Sequence, residues 1–269
     1  MPSSLYPHTE ERSRRQPGAR LEGRKAAAQQ SALMRDARSA FAIASIALLL
    51  ASGVLVAAGA TGIIGAIAAA GLMAVLLPLL DRGLAHHPHA HFGGANRLTL
   101  ARAVLTAGLM GRALDPLPIP EGERWVLAAI AALALALDGF DGWLARRQQL
   151  VSDYGGRFDI EIDAVAVLAL SLLAWRNAAP LWVLAIGGMR YLFLAAGLVC
   201  PGLGLAPTAS DSGFAEWRRK VIGVIQHLVL IASLMPAMPS ASARFACALA
   251  LLLLIYSFAA DAISGGNKE

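Results

Sequence analysis

The sequence predicts an all-α fold, a polytopic bundle of membrane helices. Three observations carry this. The chain is 57% hydrophobic and only 15% charged, against about a quarter charged in an average soluble domain. Eight apolar runs follow one another through brief connections, most of them near the roughly 20 residues a helix needs to cross a hydrocarbon core about 30 Å thick. No long alternation of polar and apolar residues marks a β-barrel, and no internal repeat is visible.

Taken in order, residues 1–38 are polar and rich in Arg, Pro, Gly, Ser and Gln. They lack the short basic start, apolar core and cleavage site of a signal peptide. They read as a disordered cytosolic tail with a basic end beside the membrane. No aromatic interleaves the arginines, so no nucleic-acid partner is expected. The apolar runs are roughly 39–58, 61–80, 97–114, 124–145, 159–175, 180–200, 219–236 and 244–261. The first two form an extra N-terminal hairpin over 39–82. A His-rich linker, 83–95, follows. In "HHPHAH", residues 86–91, Pro88 breaks helical spacing and no carboxylate or cysteine completes a metal set. Residues 262–269 form a short C-terminal tail. Cys200 and Cys247 lie next to or inside apolar runs and read as packing residues.

Loop charge sets the orientation. With the N-terminus inside, seventeen Lys and Arg fall on the cytosolic side and four (Arg112, Arg124, Arg176 and Arg244) on the other; Arg102 and Arg190 lie within helices. Both termini are therefore expected in the cytosol, as is the junction between the fourth and fifth helices.

That junction holds "DGFDGWLARRQQLVSDYGGRFDIEID", Asp138 to Asp163. Asp138 and Asp141 are three apart, and Asp159 and Asp163 four apart, so each pair shares a helix face. At the bilayer centre each aspartate would cost about 2.5–3.5 kcal/mol, and less near the interface. Cations offset such a cluster, and hard oxygen ligands in this number suit Mg2+ or Mn2+, with room for two ions. Gly139, Gly142 and Ala145 leave one helix side bare, and Arg146 offers a planar fork for a diphosphate.

Asp138, Asp141, Gly142, Ala145, Arg146, Gly155, Asp159 and Asp163 fit D-x2-D-G-x2-A-R-x8-G-x3-D-x3-D without a gap. This resembles the signature of the CDP-alcohol phosphotransferase (CDP-alcohol phosphatidyltransferase) family. A second segment, "ANRLTLARA" with Asn96, Leu98, Thr99 and Arg102, resembles the start of that family's first core helix. The resemblance implies a six-helix catalytic core over 96–261. It implies transfer of a phosphatidyl group from a CDP-linked lipid, usually CDP-diacylglycerol, to a small polar alcohol with release of CMP. It also implies a homodimer in the lipid bilayer; the expected location is a bacterial inner membrane, with the loop charges placing the site at the cytoplasmic face. By the same resemblance Asp138, Asp141 and Asp159 bind the metal pair, and Asp163 is shared or acts as general base on the alcohol. Gly142 and Ala145 make room for the nucleotide, Arg146 contacts the diphosphate, and Asn96 and Thr99 join the substrate-binding set.

Glu161 points away from Asp159 on its helix and reads as structural. Arg190 sits inside an apolar run, where an arginine faces a cavity or a partner; family members use basic residues of later helices to hold the acceptor. Arg218, Arg219 and Lys220 mark a cytosolic helix start, and Arg218 and Lys220 are candidate acceptor contacts. The segment loosely resembles the Lys-x-Lys-Thr of members that take a phosphorylated alcohol, but Val221 and Ile222 stand where its second Lys and Thr would be. Two rivals are weighed. An Asp-rich membrane prenyltransferase places its aspartate pairs far apart in sequence, unlike this single hairpin. A cation transporter or channel does not account for Gly142, Ala145 and Arg146, and lacks a visible inverted repeat.

The charge bias makes a prediction. Single cysteines at Leu150 and at both termini should label from the cytosolic side, and one at Pro118 from the opposite side. Labelling of the Leu150 position from outside alone would reverse the topology.

Overall fold

A computed structural model describes residues 16–84, 91–148, 152–199 and 213–266. Among these residues all regular structure is helical. The helices are α1 (Gln16–Ala57), α2 (Ile63–Gly83), α3 (Gly94–Leu114) and α4 (Glu121–Gln148). Then come α5 (Asp153–Arg176), a 3-10 turn (Leu181–Val183), α6 (Leu184–Val199), α7 (Gly213–Leu234) and α8 (Ser240–Gly266).

Eight helices thus stand where eight apolar runs were read, but they differ in kind. Among the described residues, four stretches are long and apolar enough to cross a membrane: Ala27–Ala57, Ile63–Gly83, Glu121–Leu144 and Ser240–Asp261. Leu181–Gly197 is apolar but shorter. Helices α3, α5 and α7 carry charge along their length, and their packing shows why that is tolerable. Helix α3 lies against α1, α2, α4 and α5, while α7 lies against α4, α5 and α8. The charged helices are inside, and the apolar ones turn Ile43, Leu50, Ile67, Val126 and Leu252 outward.

The reading of residues 1–38 as a disordered tail is corrected from residue 16 onward, where α1 is already continuous; residues 1–15 lie outside the described residues. Leu33 and Ala37 are buried against the rest of the chain. Arg38 donates from Nε and Nη2 to Asp81 at the end of α2, both at 3.0 Å. Asp36 accepts from the Phe92 backbone N–H and from Arg97. These polar anchors, 43 to 61 residues apart in sequence, hold a segment whose composition alone looks unstructured. At the other end α8 continues to Gly266, beyond the boundary at 261. Residues 85–90 of the His-rich linker lie outside the described residues.

Two apolar cores flank the middle of the bundle. One joins Phe41, Met73, Leu80, Phe92, Leu100, Phe158 and Ile162 of α1, α2, α3 and α5 and of the segment before α3. The other joins Leu109, Leu127, Leu170, Val183, Leu230 and Cys247 toward the opposite end. There α2 and α3 meet almost backbone to backbone: a Cβ on Gly111 would come within 2.5 Å of the Gly65 carbonyl oxygen. Helix α3 begins after Gly93, whose φ of 83° lies in the region glycine favours.

The same end carries a cap shared between two helices. Asp115, fully buried after α3, accepts from the Thr61 hydroxyl at 2.7 Å and the Gly62 N–H at 2.5 Å, at the start of α2. It also accepts from the Leu117 N–H at 3.2 Å. Burial pushes this carboxyl up, but the hydrogen bonds from Thr61, Gly62 and Leu117 outweigh it and hold the pKa below the ordinary value. Charge-assisted bonds of this kind stabilise the ionised form.

Asp115→Asn should therefore lower stability at neutral pH by about 1–3 kcal/mol in thermal or denaturant unfolding of the detergent-solubilised protein. Because the folded pKa is depressed, the contribution is complete above the unfolded value of about 3.9. It fades as pH falls from there through the folded value. A wild-type advantage that persists undiminished in acid would show that charge plays no part in this cap.

Candidate active site

The aspartates are brought together by α3. Helices α4 and α5 both pack along α3 and touch each other little among the described residues. The oxygens of Asp138 and Asp141 on α4 nonetheless come within 4.8 Å of that of Asp159 on α5. The carboxylate pairs converge from two sides on Arg102 of α3. Arg102 Nη2 lies 2.8 Å from Asp138 Oδ1 and also donates to Asp163. Its Nη1 donates to Asp141 Oδ2 at 3.0 Å and to Asp159. One guanidinium thus serves all four.

Local sequence explains the convergence. Asn96, Thr99, Arg102 and Thr106 recur at three- and four-residue steps, which puts them on one face of α3. The Thr99 hydroxyl donates to Asp141 Oδ2 at 2.9 Å. Asn96 Nδ2 donates to the Phe92 carbonyl at 2.6 Å, and its Oδ1 would sit 3.0 Å from a Cβ on Gly155. A Cβ at position 155 would require the Asn96 side chain to give by a few tenths of an ångström. Helix α5 itself starts at Asp153 behind Ser152, whose hydroxyl accepts from the Gly155 N–H at 3.1 Å. That capping sets the phase that turns Asp159 and Asp163 toward Arg102.

Exposure grades across the cluster. The side chains of Arg102 and Asp141 are 3% and 5% exposed, whereas those of Asp159 and Asp163 are 36% and 37% exposed. Arg102, Thr99 and Asp141 form a floor, and the α5 carboxylates form an accessible rim. Below the floor a small cavity is lined by Arg102, Thr106, Ala131, Ala134, Ala166 and His227, among others. His227 of α7 closes it, with Nδ1 3.0 Å from the Gly223 carbonyl oxygen.

The donor set suits a hard divalent cation. Asp138, Asp141 and Asp159 each offer an oxygen, and these atoms lie within 4.8 Å of one another. Four carboxylates against one guanidinium leave three negative charges for cations to neutralise.

The other residues singled out in the sequence are distributed more widely. Gly142 is half-buried on α4, and a Cβ on Gly139 would meet nothing within 4 Å. Ala145 and Arg146 continue α4, and their side chains lie outside the described residues. Arg190 of α6 pairs with Glu161 of α5, not with an aspartate. That gives Glu161 the structural contact its position suggested. Arg218 pairs with Asp261 of α8, and Lys220 is exposed nearby on α7. Sequence reasoning placed Arg102 within a helix but missed it as the hub. The signal was present: an arginine in an apolar run, one turn beyond Thr99 and one before Thr106.

Compared with known protein families, residues 93–262 match CDP-alcohol phosphatidyltransferase. No curated protein and no solved structure matches.

Arg102→Gln should leave four mutually repelling carboxylates. Removing one partner from a buried ionic cluster typically costs about 3–5 kcal/mol, so metal-free protein should unfold several degrees earlier. Added Mg2+ or Mn2+ should raise the unfolding temperature of this variant more than that of wild type. Equal shifts in both proteins would mean the metal does not share the carboxylates with Arg102.

Proposed function

Because the chain belongs to the CDP-alcohol phosphatidyltransferase family, and is thus a membrane enzyme of phosphatidyl transfer, we propose that its donor is CDP-diacylglycerol. The acceptor in this reading is a small polar alcohol, the product side includes CMP, and the enzyme works as a homodimer with its aspartates at the cytoplasmic face. The observation that carries this reading is the carboxylate group of Asp138, Asp141 and Asp159 at the head of a membrane-embedded bundle. A lipid donor can keep its acyl chains in the bilayer while its diphosphate meets those carboxylates.

In this reading Asp138, Asp141 and Asp159 hold Mg2+ or Mn2+, which supplies the positive charge that neutralises the diphosphate. Thr99 and Arg102 keep Asp141 oriented from below, so the site is organised before substrate arrives. The acceptor oxygen bonds to the phosphorus nearer the lipid as the bond from that phosphorus to the CMP oxygen breaks. Asp163, on the accessible rim one turn beyond Asp159, takes the hydroxyl proton. Gly142 and Ala145 leave space for the nucleotide, and Arg146 binds the diphosphate. Asn96 fixes the α3–α5 approach on which this depends. Arg190, Arg218 and Lys220 lie on later helices and are assigned to acceptor recognition, with Glu161 as the resting partner of Arg190 and Asp261 as that of Arg218.

The test is CMP release from CDP-diacylglycerol by the purified protein, with glycerol 3-phosphate, inositol phosphate, serine and choline offered as acceptors. One acceptor should support turnover, excess chelator should abolish it, and added Mg2+ or Mn2+ should restore it. Asp163→Asn should lose transfer, by about 100-fold or more, while binding donor with nearly unchanged affinity; Asp159→Asn should weaken donor binding. Full activity in chelator would refute the metal assignment, and equal loss of donor binding in both variants would make Asp163 a ligand instead of the base.

A further inference from the structure

At the end of the bundle away from the aspartates, a pocket opens between α4, α5, α7 and α8. Its polar lining comes from Arg124, Asn177, Ser233, Ser240 and Arg244. Arg124 precedes Asp138 by 14 positions on α4 (138 minus 124), so at 1.5 Å per residue the two lie about 21 Å apart along the helix axis. This is not an extension of the aspartate site.

Three observations coincide there. The lining contains two guanidinium groups and no carboxylate. Arg124 Nε donates to the Leu234 carbonyl at 3.1 Å, and Arg244 bonds only to Ser240 of its own helix, at 3.2 and 3.4 Å. Neither pairs with an acidic side chain among the described residues. Next, Asn177 Nδ2 is buried and has no hydrogen-bond partner. A buried donor without an acceptor is unfavourable unless something supplies one. Finally, Ala178, also in the lining, has φ of 71°, the left-handed region that alanine rarely adopts. Strain of this kind collects at ligand clamps. Helix α8 starts at Ser240, so the unbonded N–H groups of its first turn add to the positive character.

We propose that this pocket binds an anionic phosphate group at the membrane face opposite the aspartates. Oxygens of a phosphate accept from Arg124, Arg244 and Asn177 together, which satisfies the orphaned amide and neutralises both arginines. The cavity, about 50 Å3, is far below the roughly 300–1,000 Å3 of pockets that enclose whole small molecules. It takes a head-group-sized anion and not a nucleotide. Two sources present that chemistry at a bilayer face, an anionic phospholipid and free inorganic phosphate.

The experiment is thermal unfolding of the full chain in neutral detergent, titrated separately with short-chain phosphatidylglycerol, short-chain phosphatidylcholine and inorganic phosphate. It is run on wild type, Asp138→Asn, Arg244→Gln and Asn177→Asp. Arg244 is exposed and bonds only within its own turn, so its variant should fold even where Asn177→Asp does not. Phosphatidylglycerol or phosphate should raise the unfolding temperature of wild type and Asp138→Asn alike. The Arg244 and Asn177 variants should need at least tenfold more ligand for the same shift. A response to phosphate ion assigns the free anion, and a response to phosphatidylglycerol alone assigns the lipid head group; both uphold the site. No shift with either anion, or equal titrations in all four proteins, would overturn it, as would an equal response to zwitterionic phosphatidylcholine.

Discussion

One guanidinium shared among four carboxylates sets the terms for this structure. Arg102 has five N–H donors in a rigid plane, and four acidic side chains from two other helices reach it. A lysine would offer a point charge with no fixed geometry; the planar fork assigns each carboxylate a direction. The arrangement is under-neutralised, with one positive charge against four negative. It is therefore assembled without being satisfied. Its carboxylates are held in place yet still favour positive charge, which is what the proposed binding of cations and a diphosphate requires.

The placement of helices follows from it. An arginine 3% exposed in a membrane bundle has to be screened from lipid on every side. Helix α3 is screened by α1, α2, α4 and α5. The N-terminal hairpin, which lies outside the matched residues 93–262, thus covers the back of the helix that organises the site. Its polar anchors, Arg38 to Asp81 and Asp36 to Arg97, tie this cover down at one end, while the Asp115 cap ties it at the other.

Much of the site was legible because its information is local. Asp138 with Asp141, and Asp159 with Asp163, sit at helical spacing, and their residue types already implied cation chemistry. Arg102 was harder to place, since its partners, Asp138 to Asp163, lie 36 to 61 residues away and periodicity reports only neighbours on one helix. The same holds for Thr61 with Asp115 and for Arg190 with Glu161. Several helix starts were misread. Apolar runs mark where a helix meets hydrocarbon, yet α1, α4, α5 and α7 each begin earlier, in segments that carry charge. Backbone hydrogen bonding continues past the lipid boundary, and composition does not record it.

The alternation of apolar and charged helices along the chain also bears on how the protein enters a bilayer. Helices α3, α5 and α7 are not among the stretches apolar enough to cross alone, but each is flanked in sequence by more apolar neighbours. Emerging from a translocation channel, each would partition poorly by itself. Handed over together with α2, α4, α6 or α8, it leaves water already covered. Insertion and tertiary packing are then one event for these three helices, and the aspartate cluster takes form only as they join their escorts.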